Sequence, residues 1–285
     1  MPSIVQFIHP GPEHGPDNPP LNNYKGWNIG QHRRKFLCSD GDYIENGHLR
    51  KGELMFWGEW EAPSNVQQLN QNGNTYNPSW LHSRIVPNPI PVIPNLQNTD
   101  PFIFENEFKF LLCQQFRPAI LTLTQLANLD TGSLILFGSL INKDKPTAFF
   151  QLDTVFVVNN WIDYNPLANA INIPKISQNY FDIVYTKAYP SNRNHPNLEL
   201  RLYRGATIHN RINGMYSFVP ARLYEANNIG FPRIPLRNMP PYMHNNKSQG
   251  FKITNNLNIN AIQAFWDQVV LASQQNGCVE GVRFY

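Results

Sequence analysis

Charged side chains are scarce in this 285-residue chain, making up 15% of it and leaving a formal net charge of +3. That balance excludes strong non-specific binding to nucleic acid through bulk charge, which needs a dense basic surface. Cysteine is rare as well: three residues, Cys38, Cys113 and Cys278, stand far apart. An odd, scattered set builds no disulfide framework, and no C-x-x-C zinc pattern occurs, so a reducing compartment is expected. Apolar runs stay under about ten residues, too short to cross a bilayer as a helix. The opening "MPSIVQFIHPGPEHGPD" has neither a basic n-region nor a long apolar run, so it does not read as a signal peptide. The expectation is a soluble cytoplasmic protein with no membrane partner. Also missing are a G-x-G-x-x-G after a strand, a P-loop and a G-x-S-x-G elbow, which disfavours the classical dinucleotide, NTPase and hydrolase assignments.

What is present is amide, proline and aromatic surface. Asparagine is about one residue in eight, well above ordinary usage, and the 24 prolines break long helices. With 41% hydrophobic residues the chain can bury a sizeable core. We read residues 1–285 as a single domain, divisible into a loop-rich part (1–95) and a sheet part (96–285). Ser3 to Ile8 reads as a strand that runs into a Pro/Gly-rich loop to about Lys25. Phe102, Phe104, Phe108, Phe110 and Leu112 recur at even positions, the period of a half-buried strand. In "NLELRLYRG", Leu198, Leu200 and Leu202 alternate with Glu199 and Arg201 in the same way. "PNPIPVIPN", Pro87 to Asn95, is read as an extended polyproline-like linker. Ile262, Phe265, Trp266, Val269 and Val270 recur at helical spacing behind a capping asparagine and before Gly277, which predicts a C-terminal helix lying over a sheet.

The central segment "LTQLANLDTGSLILFGSLINKDKPTAFFQLDTVFVV" predicts a helical turn with Leu123, Leu126 and Leu129. A buried strand from Ser133 to Phe137, a polar loop around Asn142 to Pro146 and a returning strand from Phe149 to Val158 follow. This order resembles the core hairpin of PUA-like barrels, the superfold of the ASCH, EVE and YTH groups, with Ser133 where those groups usually carry aspartate. The resemblance implies a small twisted barrel that recognises a nucleotide or modified base, often flipped between aromatic side chains. The fold class expected is therefore α+β and strand-dominated, a PUA-like β-barrel core with an N-terminal loop-rich elaboration and a C-terminal covering helix.

In "ELMFWGEWEAP" two indoles stand three residues apart beside Glu59 and Glu61. A base stacked on an aromatic ring gains about 1–3 kcal/mol, and a carboxylate can meet its edge. Strand alternation puts Trp57, Glu59 and Glu61 on one face and Phe56, Gly58 and Trp60 on the other, so one pocket could hold both indoles only with a bulge, which Gly58 would supply. A core strand with one tryptophan buried is the competing reading.

Other polar residues offer chemistry. His9, Glu13 and His14, with His32, are residue types that ligate zinc, although their spacing matches no specific motif. Glu13 or His14 could instead act as general acid or base. His32, Arg33, Arg34 and Lys35 form the densest basic run and suit a phosphate clamp or a solvated strand face. Asn98 and Asp100 either cap their own backbone or read a base edge, and Gln114 and Gln115 carry amides able to do the latter. Cys113 has no partner histidine in sequence and reads as a buried thiol. An ADP-ribosyltransferase-like pocket from Arg204, His209 and Ser217 lacks its closing Glu-x-Glu, since "EWE" lies upstream.

Two functional expectations follow. The first is a nucleotide or modified-base binding protein in a nucleic-acid context, with Trp57 or Trp60 as platform, Asn98, Asp100 and Gln114 on the base edge and the His32–Lys35 run on phosphate. The second is an enzyme acting on a nucleotide or nucleic acid, with Glu13, His14, Glu59 or Asp100 as acid or base. No cofactor is assigned, and a protein partner remains compatible with the amide- and aromatic-rich composition.

Overall fold

The computed structural model describes residues 1–9, 11, 13, 34–62, 64–69, 77–84, 99–117, 122–165, 177–186, 199–237, 242–247 and 249–285. Strands dominate them, in two mixed sheets. The first sheet takes the order β14 (Gly250–Thr254), β1 (Ile4–Ile8), β9 (Leu134–Ile141), β10 (Phe149–Tyr164), β11 (Leu200–Gly205) and β6 (Lys109–Phe110), with β13 (Ile234–Leu236) also on β10. The second runs β15 (Val279–Phe284), β12 (Val219–Leu223), β3 (His48–Gly58), β2 (Lys35–Glu45), β5 (Trp80–Arg84) and β4 (Ser64–Gln68). Because β15 pairs with β2 as well as β12, the strands β2, β3, β12 and β15 hydrogen-bond in a ring. A small hairpin, β7 (Phe116–Arg117) with β8 (Thr122–Leu123), stands apart.

Local sequence accounts for most of these elements. Strands β2 and β3 are joined by Asn46 and Gly47, at φ 51° and 78°, the left-handed pair that a two-residue hairpin turn requires. Their register is unbroken from Lys35 opposite Gly58 to Glu45 opposite His48, so Gly58 carries no bulge and the two indoles stay on opposite faces. The hairpin of β9 and β10 forms at the expected place, and the helical turn before it, Gln125–Asn128, is capped by the Thr124 hydroxyl and buries Leu126. Helix α1 (Ile259–Gln275) starts at Asn258, whose side chain accepts from the Asn260 N–H, and buries Ile262, Phe265, Trp266 and Val269. Gly277 follows it at φ 72°. The even-numbered phenylalanines from Phe102 to Phe110 are buried, but not as one strand. Glu105, at φ 73°, sits in a turn that brings Lys109 back opposite Phe102. Residues 87–95, Leu198 and the loop to Lys25, apart from the isolated Gly11 and Glu13, lie outside the described residues.

Two apolar cores form on the two sides of the first sheet. On β1, Val5 and Phe7 enter the core that holds Trp60, Phe104 and Phe137, while Ile4 and Ile8 enter the one that holds Trp57, Phe265 and Trp266. Strand β10 obeys the same alternation with an interruption near Asp153. Phe150 and Leu152 join the second core, then Val155 and Val157, so the phase shifts between 152 and 155. The register shows why: Leu152 faces Gly138 and Thr154 faces Phe137, leaving Asp153 as the extra residue of a β-bulge. Gly138 is needed there, because a Cβ on it would lie 2.0 Å from the Gln151 carbonyl oxygen and 2.7 Å from the Phe150 ring.

Gly138→Ala must therefore push backbone apart, and we expect it to cost about 1–3 kcal/mol or more in chemical denaturation. Gly58→Ala, whose nearest contact would be an ordinary 3.4 Å from Leu37, serves as the control and is expected to change stability little.

Candidate functional site

The bulge presents a carboxylate to the interior. Before it, odd-numbered residues of β10 project to the side of Phe137 and Phe156, so Gln151 and Asp153 share that face with Ser139 of β9 and with His9, just past the end of β1. The His9 amide donates to the Gly138 carbonyl at 2.7 Å, which continues the β1–β9 pairing and fixes the histidine beside the bulge. The second sheet contributes Arg34, immediately before β2, and Glu59, immediately after β3. Arg233 enters from the residue before β13. Five ionisable side chains from five segments thus meet where the two cores adjoin.

All five are buried. His9 is 4% exposed, Arg34 1%, Glu59 4%, Asp153 2% and Arg233 8%. His9 Nδ1 lies 2.5 Å from Glu59 Oε1, the same oxygen that accepts from Arg34 Nη2. The other guanidinium nitrogen, Arg34 Nη1, stands 3.5 Å from Asp153 Oδ2, and Arg233 Nη1 stands 3.9 Å from Asp153 Oδ1. Arg233 spends its hydrogen bonds elsewhere, on the Ser139 hydroxyl at 2.7 Å and on the Gly11 carbonyl, and its guanidinium lies over the Trp57 ring at 5.1 Å. Asp153 is thus held between two cations while, among the described residues, neither of its oxygens accepts a hydrogen bond. Burial pushes its carboxyl above the usual range, against the pull of Arg233, Arg34 and His9. Burial also opposes the charge on Arg34, but Glu59 and Asp153 prevail and hold it protonated. For Arg233 burial prevails and lowers it.

Such a cluster is a poor device for stability. Each buried ion forfeits several kcal/mol of hydration, and apolar residues of similar volume often do as well. Perturbed ionisable groups on a strand bulge are where chemistry is commonly found.

The residues singled out from sequence separate clearly. Glu59 belongs to the cluster, and so do His9 and Arg34, though in other roles than metal ligand and phosphate clamp. Arg34 and Lys35 turn inward instead of forming a basic surface: Arg34 pairs with Glu59, and Lys35 donates to the Trp60 carbonyl from a fully buried position. Both indoles are interior. Trp60 is wholly buried with its ring 5.1 Å from that of Phe104, and Trp57 donates from Nε1 to the Phe231 carbonyl at 2.7 Å. Neither offers a face for stacking, because the alternation of β3 assigns one indole to each core. Glu13 gives its carboxylate to the backbone N–H groups of Ser79 and Trp80 at 2.8–3.0 Å, fastening its segment to β5 rather than acting as acid or base. Gln114 sits exposed in a turn at φ 62°, outside the cluster. Gln115 is used structurally, bridging Leu111 and Arg201. His14, His32, Arg33 and Asn98 lie outside the described residues. Among the described residues no three His, Cys, Asp or Glu side chains converge as a metal would require.

Asp100 is a backbone clamp, not a catalyst. Its carboxylate accepts from the N–H groups of Leu111, Leu112 and Cys113 at 2.7–2.9 Å in a fully buried position. At the half-buried Cys113, burial, reinforced by Asp100 and Glu59, pushes the thiol up and disfavours the thiolate. Sequence reading missed Asp153, Arg233 and Gln151. An aspartate inside the apolar run "FFQLDTVFVV" was the available signal, since a charge there must find compensation in the fold.

Burial, working against the three N–H donors, raises the Asp100 carboxyl to about 7. The folded chain then binds this proton more tightly than the unfolded one. The resulting stability is full below the ordinary carboxylate range and is lost as pH rises through about 7. Denaturation midpoints measured from pH 4 to 8 should show that fall in the wild type, and Asp100→Asn should flatten it; parallel curves for the two proteins would refute the assignment.

Comparison with known proteins finds no matching family model, no matching curated protein and no matching solved structure.

Proposed function

We propose that the protein is an enzyme acting on a nucleotide or nucleic acid, with its acid–base pair at His9 and Glu59 and with Asp153, Arg34 and Arg233 as the charged frame around it. The observation that carries this reading is the buried His9–Glu59–Arg34–Asp153–Arg233 network. Glu59 holds His9 through Nδ1, the arrangement by which a carboxylate orients an imidazole for proton transfer at Nε2. Arg34 donates to the same Glu59 oxygen that faces His9 and places a positive charge beside the orienting group. The water-poor surroundings strengthen each of these interactions on a developing charge. The likeness of the Leu123–Val158 segment to PUA-like barrels supports a base-bearing ligand. The interior position of both indoles favours this enzymatic reading over a binding protein that stacks a base on tryptophan.

Trp57 is a built-in reporter, because Arg233 lies over its ring. Titration of the purified protein with nucleotides and short oligonucleotides should give a saturable change in tryptophan fluorescence. Chromatography of the same mixtures should reveal turnover. His9→Gln is expected to keep binding within a few-fold and to lose about 10²–10⁴ in turnover, the usual contribution of a positioned acid or base. The reading fails if no nucleotide or oligonucleotide binds, or if His9→Gln lowers only the melting temperature.

A further inference from the structure

The polar atoms that the network leaves without a hydrogen bond form a pattern. Among the described residues, both carboxylate oxygens of Asp153 and the Oε1 of Gln151 are buried acceptors with no donor, and the Nε of Arg34 is a buried donor with no acceptor. Asp153 and Gln151 project from one face of β10, two residues apart, and Arg34 reaches Asp153 from the opposite sheet. Buried acceptors of this kind are costly, about 1–3 kcal/mol each, unless something supplies their donors. The guanidiniums beside Asp153 do not, since Arg34 gives its short contact to Glu59 and Arg233 bonds Ser139 and Gly11.

We infer that this set recognises the edge of a guanine base, a specificity that rests on the nucleotide reading above. Guanine offers, in order, one acceptor (O6), one ring donor (N1–H) and an exocyclic amine with two hydrogens. The orphaned atoms supply the complement. Arg34 Nε donates to O6, Asp153 accepts in parallel from N1–H and from one amine hydrogen, and Gln151 Oε1 accepts the other. A carboxylate meeting two adjacent N–H groups makes a pair of charge-assisted bonds, the strongest discriminating contact a side chain offers such an edge. Adenine presents an acceptor at N1 and would be repelled there. Inosine lacks the amine, and xanthosine replaces it with a carbonyl that the carboxylate opposes.

The choice is read by titrating guanosine, inosine, xanthosine and adenosine 5′-monophosphates against wild-type protein and two variants, following Trp57 fluorescence and calorimetry. Wild type is expected to prefer guanosine over inosine and xanthosine by about tenfold or more, the scale of a hydrogen bond to a charged group. Asp153→Asn turns one acceptor into a donor and should reverse the guanosine-to-xanthosine order. Gln151→Leu leaves the ionic network whole and should narrow the gap between guanosine and inosine without changing the fold. If the four nucleotides bind wild type equally, guanine recognition is wrong while the nucleotide reading stands. If Asp153→Asn weakens all four alike, Asp153 is only an ion-pair partner and the inference falls. If none binds, both readings fall together.

Discussion

A carboxylate cannot be buried alone, and much of this structure answers that constraint at Asp153. The strand that carries it is the longest among the described residues and lies in the middle of the seven-stranded sheet. A bulge aims the side chain inward, and Gly138 leaves room for the bulge. Compensation must then come from elsewhere, because neighbouring strands offer mainly apolar side chains. It arrives as two arginines from separate segments, one leading into β2 and one leading into β13, so that the ionic cluster also ties the two sheets to each other. Breaking one partner of such a cluster strands a charge and is typically worse than never having built it.

The same arrangement separates structural from chemical use of polar groups. Asp100 and Glu13 have their oxygens occupied by backbone N–H groups, and Gln115 bridges Leu111 to Arg201 of β11 through its amide. These are satisfied groups that hold segments in place. Asp153 is held by charge, with no hydrogen bond to its oxygens among the described residues, and it is buried with His9, Glu59 and two arginines in one cluster. Burial raises the weight of every charge in it.

Local patterns were legible wherever neighbours along the chain decide the outcome. The period of Ile262, Phe265, Trp266 and Val269 gave away α1, and the polar loop after Ile141 marked the central hairpin. The Asn46-Gly47 turn is equally readable, and it sets the long β2–β3 hairpin and the register that separates Trp57 from Trp60. Phe102 to Leu112 misled because a strand and a turn-interrupted segment can bury the same alternate phenylalanines. Charge misled in the other direction. Arg34 and Lys35 look like surface in sequence, and only the presence of Glu59 and of the Trp60 carbonyl explains why they are inside.

By itself, then, the amino-acid order determined a strand-rich chain with a C-terminal amphipathic helix and a central hairpin, since hydrophobic period, turn residues and caps act over a few residues. It also singled out Glu59 and His9 as chemically able residues. Only the tertiary structure decided that these two meet, that Asp153 joins them and that both tryptophans are interior. Burial, ion pairing and hydrogen-bond satisfaction depend on segments more than a hundred residues apart, such as His9 and Asp153, and no local pattern encodes which of them will converge.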